Sequence, residues 1–294
     1  MSTIVSFHAH PDDESIGTGG LLATAADAGH RVVLVFATRG ELGTPVPGVL
    51  ADGEQLTLRR TAECYDSAAV LGVDRVEFLG YTDSGMMGDD TNDAPWCFWQ
   101  ADVDQAARRL AAVLEEEQPE ILTVYDDIGG YGHPDHIQVH RVGRRAAELA
   151  GVPVVAQGTI NQDHIETAMA MAAEFGIDLD EVDGGASPSE APSTAGGRDG
   201  DHGRSRTVER VQSDTFGKPE AEITHRVDVT AVVDRKRASM RAHASQIGPD
   251  HFMVSMPDEA FAYVFGTEWF ILDPPVPPNA PEGGLFATLF HPLR

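Results

Sequence analysis

The chain has 294 residues, 41% of them hydrophobic, and 47 acidic against 21 basic side chains give a formal net charge of −26. That length and apolar content support one large α/β domain or two modest ones around a sizeable core. The acidic excess repels polyanions, so neither nucleic acid nor an anionic membrane is an expected partner.

The basic run "RKR" (235–237) falls in a helical pattern and reads as a solvated face. Only Cys64 and Cys97 occur, without a CxxC pair, so neither a disulfide framework nor a thiolate metal site is expected. The opening "MSTIVSFHAHP" has no charged leader region, and no run approaches the ~18 apolar residues of a membrane span. A cytoplasmic protein without a membrane anchor is the expectation.

In chain order, "TIVSFH" (3–8) reads as a buried strand, residues 14–29 carry a helical period of small and apolar side chains, and "RVVLVFAT" (31–38) is a second strand. A helix at 55–71 precedes the strand "RVEFLGY" (75–81), and one at 101–117 precedes "EILTVYDD" (120–127). A helix over 135–149 and the run "VPVVAQGTI" (152–160) follow. Strands separated by helices imply βαβ units, hence an α/β, Rossmann-like, mostly parallel sheet with helices on both faces. At 183–206 Gly, Ser, Pro and charge replace every apolar residue except alanine. Such a segment buries too little surface to offset its ordering entropy and reads as a mobile loop. Beyond it, "EITHRVDVT" (222–230) looks like a strand and 231–246 like a helix running into "HASQI", while the proline-rich tail 273–284 is extended or turn-like. A single domain over 1–294 with a C-terminal elaboration is expected.

Two clusters stand directly after predicted parallel strands, where open α/β sheets bind ligands. "FHAHPDDESIG" (7–17) brings His8, His10, Asp12, Asp13 and Glu14 together. Alone, it is explained equally well as a turn and helix cap, with Pro11 in the turn and Asp12 or Asp13 as the cap. The second cluster, "YDDIGGYGHPDHIQVH" (125–140), tips the balance. Gly129, Gly130 and Gly132 permit turns that side chains hinder, and His133 and His136, three apart, share a helix face. Two HPD sequences at strand ends can converge on one crevice. One carboxylate and two imidazoles with an open position make a catalytic rather than a structural metal site, and amide hydrolysis at neutral pH comes within reach. That set suits Zn2+ first and also Fe2+.

On "HAHPDDE" and "GGYGHPDH", with "TDSGM" (82–86) and "RAHASQI" (241–247), the chain resembles the PIG-L or LmbE-type deacetylase superfamily. That superfamily includes the N-acetylglucosaminyl-phosphatidylinositol deacetylases and the mycothiol-pathway deacetylase and amidase. The resemblance is dense over 3–160 and patchy beyond. It implies His10, Asp13 and His136 as metal ligands and Asp12 as general base on the attacking water. It implies that His133 stabilises the oxyanion or protonates the leaving amine, and that Asp135 orients and charge-couples a histidine. Tyr131 matches a mobile tyrosine that the family uses near the carbonyl. Arg60 and Asp83 match positions that contact sugar hydroxyls in the mycothiol deacetylase, although their flanking sequence differs.

The activity so implied is removal of an N-acetyl group from a GlcNAc-type amino sugar or conjugate, with that small molecule as the partner and a homo-oligomer left open. An amidase acting on a thiol conjugate or a natural-product N-acyl group stays open. So do a non-catalytic sugar- or metal-binding protein and an oxygen-activating Fe2+ enzyme, although retention of both Asp12 and His133 argues against a binding protein. Of the competing residues, His8 is ranked as packed, His140 as a hydrogen-bonded helix residue, and Glu14 as a supporting carboxylate or cap. "GTGG" (17–20) lacks the lysine and spacing of a phosphate loop and reads as close helix packing. "WCFW" (96–99) reads as core before sugar platform, and His243, Ser245 and Gln246 are candidates for the far wall of the cleft.

Overall fold

The computed structural model describes residues 1–172, 216–275, 277, 279 and 283–293. The loop expected at 183–206 and part of the tail lie outside these residues. Five strands, β1 (Thr3–His8), β2 (Arg31–Phe36), β3 (Arg75–Phe78), β4 (Ile121–Tyr125) and β5 (Val154–Thr159), run parallel in the order β3-β2-β1-β4-β5. The order reverses between β1 and β4, the switch point beyond which doubly wound sheets bind ligands.

Alternate side chains of these strands enter two separate cores. Ile4, Leu34 and Ile121 pack on one face, and Val5, Phe7, Val35 and Leu122 on the other. A sheet apolar on both faces needs a helical layer on each. The first face is covered by α2 (Gly19–Asp27) and α3 (Leu56–Leu71), which follow the short α1 (Asp13–Gly17). The second is covered by α4 (Val103–Glu117) and by α6 (Pro134–Ala150), which follows the glycine turn α5 (Gly129–Gly132). The Rossmann-like, mostly parallel expectation holds.

The predicted helix 14–29 is two helices, broken at Thr18 (φ −136°, ψ 5°). The break has a distant cause. Glu268 accepts the N–H groups of Gly20 at 2.8 Å and Leu21 at 2.9 Å, placing a carboxylate at the new N-terminus of α2. Gly20 is needed there because a Cβ would lie 2.4 Å from Val229 Cβ, so close packing holds for this glycine of "GTGG", whereas Gly17 has open space around it.

The C-terminal region adds an antiparallel extension that periodicity did not reveal. It comprises α7 (Gln162–Ala170), β6 (His225–Asp228), α8 (Val233–Ala242), α9 (Phe252–Ser255), α10 (Asp258–Phe265), β7 (Thr267–Ile271), α11 (Leu285–Leu289) and β8 (His291–Pro292). β7 pairs antiparallel with β5, and β6 and β8 continue the sheet as β5-β7-β6-β8. The predicted strand 222–230 contracts to β6, and the helix expected to run to 246 stops at Ala242. "RKR" is not a solvated face. Lys236 and Arg237 are buried, and they pair with Glu268 at 2.7 Å and Asp258 at 2.6 Å. Among the described residues no helix is long and apolar enough to cross a membrane.

Candidate metal centre and active site

After β1 the chain turns through Ala9–Pro11, and Asp12 adopts φ 100°, ψ −33°. An L residue rarely takes this conformation, so the surroundings must hold it. Arg60 of α3 donates from Nη2 to the Pro11 carbonyl at 2.5 Å and to Asp12 Oδ2 at 3.2 Å, and from Nη1 to the Gly40 carbonyl at 2.8 Å. The Asp12 N–H donates to Glu14 Oε2 at 3.0 Å. Glu14 in turn is anchored to α3 by Ser67 Oγ at 2.6 Å and to the end of α8 by His243 Nε2 at 2.5 Å.

Beyond β4, Asp126 Oδ1 accepts the N–H groups of Ile128 at 3.1 Å and Gly130 at 2.8 Å, shaping the glycine turn. Gly129, Gly130 and Gly132 have φ of 67°, 75° and 88°, which explains the glycines of the second motif. His133 caps α6, its Nδ1 accepting the Asp135 N–H at 3.1 Å, with Pro134 next at the first helical position. The second motif is thus a local backbone device, whereas the first is held by Arg60, Ser67 and His243 from distant segments, and both present side chains over the switch point.

The two motifs converge. His10 Nδ1 and His136 Nε2 each lie 3.4 Å from the same oxygen, Asp13 Oδ2. The other nitrogen of each ring faces an acceptor: His136 Nδ1 the Gly129 carbonyl at 3.1 Å, and His10 Nε2 the Asp135 Oδ2 at 3.2 Å. A proton on those nitrogens leaves both lone pairs directed at Asp13 Oδ2, the arrangement of imidazoles oriented to bind a metal. Burial opposes charge on His10, yet Asp83, Asp13 and Asp135 outweigh it and raise its pKa, so the surroundings favour a positive charge here. Burial likewise opposes ionisation of Asp13, and His136 and His10 still hold its carboxyl well below the usual range. The residues present therefore fit a divalent cation. His133 stands close by, its ring 4.6 Å from that of His10, with nitrogens of His10, His133 and His136 within 4.8 Å of one another.

These groups line a cleft of about 760 Å³ that also holds Asp12, Arg60, Asp83 and Tyr131. Burial, partly offset by Arg60, raises the Asp12 carboxyl to about 6. Asp83 accepts N–H groups from Leu42 at 3.2 Å and Gly85 at 2.9 Å, and its Oδ1 lies 3.6 Å from His10 Nε2. Tyr131 is 36% exposed, its hydroxyl 3.5 Å from His136 Nε2. Asp135 is fully buried, receives the N–H and hydroxyl of Ser84, and reaches His10.

The competitors fall into place. His8 is buried in the wall of the cleft, bonded to Ser6 Oγ at 2.7 Å and Tyr125 at 3.0 Å, and burial lowers its pKa to about 4. His140 turns away to the Tyr125 carbonyl at 3.0 Å. Of "WCFW", Cys97 and Phe98 are core, and none of the four lines the cleft. Gln246 does line it, whereas Ser245 is turned to Glu63 and His243 to Glu14. Sequence reasoning missed Tyr125, whose ring stacks on His136 at 4.3 Å and 14°. Its place at the end of a parallel strand, as the first residue of the second cluster, was the available signal.

Residues 5–147 match the family model described as PIG-L, GlcNAc-PI de-N-acetylase. A 1D-myo-inositol 2-acetamido-2-deoxy-alpha-D-glucopyranoside deacetylase from Thermobifida fusca is 38% identical over 286 residues, covering 94% of this chain and 94% of that protein. The chain belongs to the PIG-L/LmbE-type deacetylase family. A like-named deacetylase from Acidothermus cellulolyticus is 37% identical over 92% of this chain and 89% of its own length. An N,N'-diacetylchitobiose deacetylase structure from Pyrococcus horikoshii shares the fold, with a TM-score of 0.53, 21% identity, and 94% and 84% of the two chains covered. Within this PIG-L-type chain the matched segment contains both HPD motifs, whereas His243 and Gln246 come from the elaboration beyond it.

Proposed function

We propose that this PIG-L-type chain is a metal-dependent hydrolase that removes the N-acetyl group from a GlcNAc-type amino sugar or conjugate, using Zn2+ or, from the same donors, Fe2+. The convergence of His10 Nδ1 and His136 Nε2 on Asp13 Oδ2 carries the reading. These three residues would hold the cation. When bound, it supplies Lewis-acid polarisation of the scissile carbonyl and acidifies the attacking water. Asp12, pinned beside them by Arg60, takes the proton of that water as its oxygen attacks the carbonyl carbon. Because His133 Nδ1 accepts the Asp135 N–H, its proton resides on Nε2, which donates to the carbonyl oxygen as charge develops there. Asp135 orients His10. The C–N bond then breaks, the amine leaves with the proton held by Asp12, and acetate remains. Arg60 and Asp83 face the sugar, with Tyr131 beside the carbonyl. Two buried, unbridged cysteines support a reducing cytoplasm as the place of action.

The test is acetate release from N-acetylglucosamine, its inositol conjugate, a mycothiol conjugate and chitobiose, using enzyme of measured metal content. Release that stops with chelator and returns with Zn2+ or Fe2+ is expected. Release indifferent to chelation refutes the metal reading, and one bound metal per chain without release from any substrate favours a binding protein.

A further inference from the structure

The cleft does not end at the metal-ligand set. A second cavity of about 330 Å³ adjoins it, and Ile16, Gly17, Thr159, Ile160, Phe216 and Met253 form wall common to both. The rest of its lining is chiefly apolar, including Ala168 and Met169 of α7, Met256, Phe265 and Trp269. Among its described polar side chains, Lys236, Glu268, Asn161 and His164 are already matched. Lys236 Nζ meets Glu268 Oε1 at 2.7 Å, Asn161 Oδ1 accepts the His164 N–H at 3.1 Å, and His164 Nε2 meets the Tyr263 carbonyl at 3.0 Å. Such a wall offers a polar ligand little and an apolar one the gain of burial.

On α7, Ile165, Ala168 and Met169 lie on one face and line this cavity. Met169, Met253 and Met256 add side chains that adapt to an irregular apolar ligand.

Strand order indicates what enters. The metal-ligand set stands at the ends of β1 and β4. Arg60, on α3 between β2 and β3, and Asp83, just after β3, lie to one side of it, whereas the apolar cavity is walled by Thr159 of β5 and Trp269 of β7 on the other. An amide carries the sugar on its nitrogen and the acyl substituent on its carbonyl carbon. A carbonyl at the ligand set with its sugar toward Arg60 and Asp83 therefore directs its acyl substituent toward β5 and β7.

We infer that the same site also accepts amino-sugar amides bearing a linear aliphatic acyl chain, which lies in this apolar cavity; the inference rests on the deacetylase reading above. The reaction is the same hydrolysis: water oxygen bonds to the carbonyl carbon, the C–N bond breaks, the amine leaves with a proton, and a fatty carboxylate replaces acetate.

The test compares N-acetyl- and N-octanoyl-glucosamine methyl glycosides, with the octyl glycoside of N-acetylglucosamine as the control that carries its chain on the sugar. Full-length metal-loaded enzyme is used, and free amine is measured. Each buried methylene multiplies binding by about fourfold, less the ordering of the chain, so the octanoyl amide should show a KM at least ~10-fold below that of the acetyl amide. Ala168→Phe, or Met169→Trp should the first fail to fold, should abolish that advantage while leaving acetyl hydrolysis within about twofold. An octanoyl amide cleaved no better than the acetyl amide overturns the inference, as does an advantage confined to the octyl glycoside. If no amide is cleaved, the deacetylase reading fails separately. Titration with octanoate and acetate then decides the cavity: saturable octanoate binding that Ala168→Phe removes supports it, and no binding overturns it.

Discussion

Replacing Asp12 by alanine and by glycine separates the effect of its backbone from that of its carboxylate. At φ 100°, ψ −33° the residue lies where a Cβ is disfavoured, a conformation that costs ~1–3 kcal/mol. Glycine removes that cost but loses ~0.5–1 kcal/mol through the greater freedom of the unfolded chain. The balance favours Asp12→Gly over Asp12→Ala by about 0–2.5 kcal/mol. Loss of the 3.2 Å contact with Arg60 is common to both variants and cancels, and Arg60 keeps the Pro11 and Gly40 carbonyls in each. Urea titrations under identical pH and salt give the two stabilities, and acetate release on the same preparations gives turnover. Glycine is expected to be the more stable variant, with both losing about 100-fold or more in turnover through the missing base. Alanine proving more stable, the ordinary order, would refute strain at Asp12. Turnover near that of the unsubstituted enzyme in either variant would remove Asp12 from the chemistry.

Glu268→Ala leaves the buried Lys236 ammonium unpaired and uncaps α2, so a loss of about 3–5 kcal/mol in denaturant unfolding is expected. A change below ~1 kcal/mol would show that the pair is not a structural link between the two halves of the sheet. His136→Ala should abolish stoichiometric metal by elemental analysis, whereas His133→Ala should retain the metal and lower kcat. Metal loss in His133→Ala would instead put His133 in the ligand set. On the opposite edge of the sheet, hydrogen bonds from Arg31, outweighing burial and joined by Arg75, hold the Glu117 carboxyl down to about 2 against the usual 4.5. A depressed carboxyl contributes stability above pH 4.5 that is lost as pH falls through about 2. The stability gap between the unsubstituted chain and Glu117→Gln should therefore be full near neutrality and close between those limits, and a gap independent of pH would contradict the pairing.

The sequence by itself determined the parallel half of the sheet and the character of the site, because both are written in local patterns. Apolar runs alternating with helical periods identify β1 to β5, and the second HPD motif contains its own backbone requirements. Pro134 follows the His133 cap directly, and the glycines with positive φ precede it. Positions at strand ends sufficed to expect both HPD motifs at one crevice, where His10, Asp13 and His136 meet, whereas singling out those three rested on the family resemblance. Only the tertiary structure decided where partners are distant in the chain. It placed Glu268 of β7 at the break between α1 and α2, His243 against Glu14, and the Tyr125 ring on His136. It also decided the antiparallel order β7-β6-β8 and the apolar cavity beside the cleft. Such contacts leave no period in the sequence, since a buried carboxylate or a stacked ring is specified by the shape and charge that other segments bring to it.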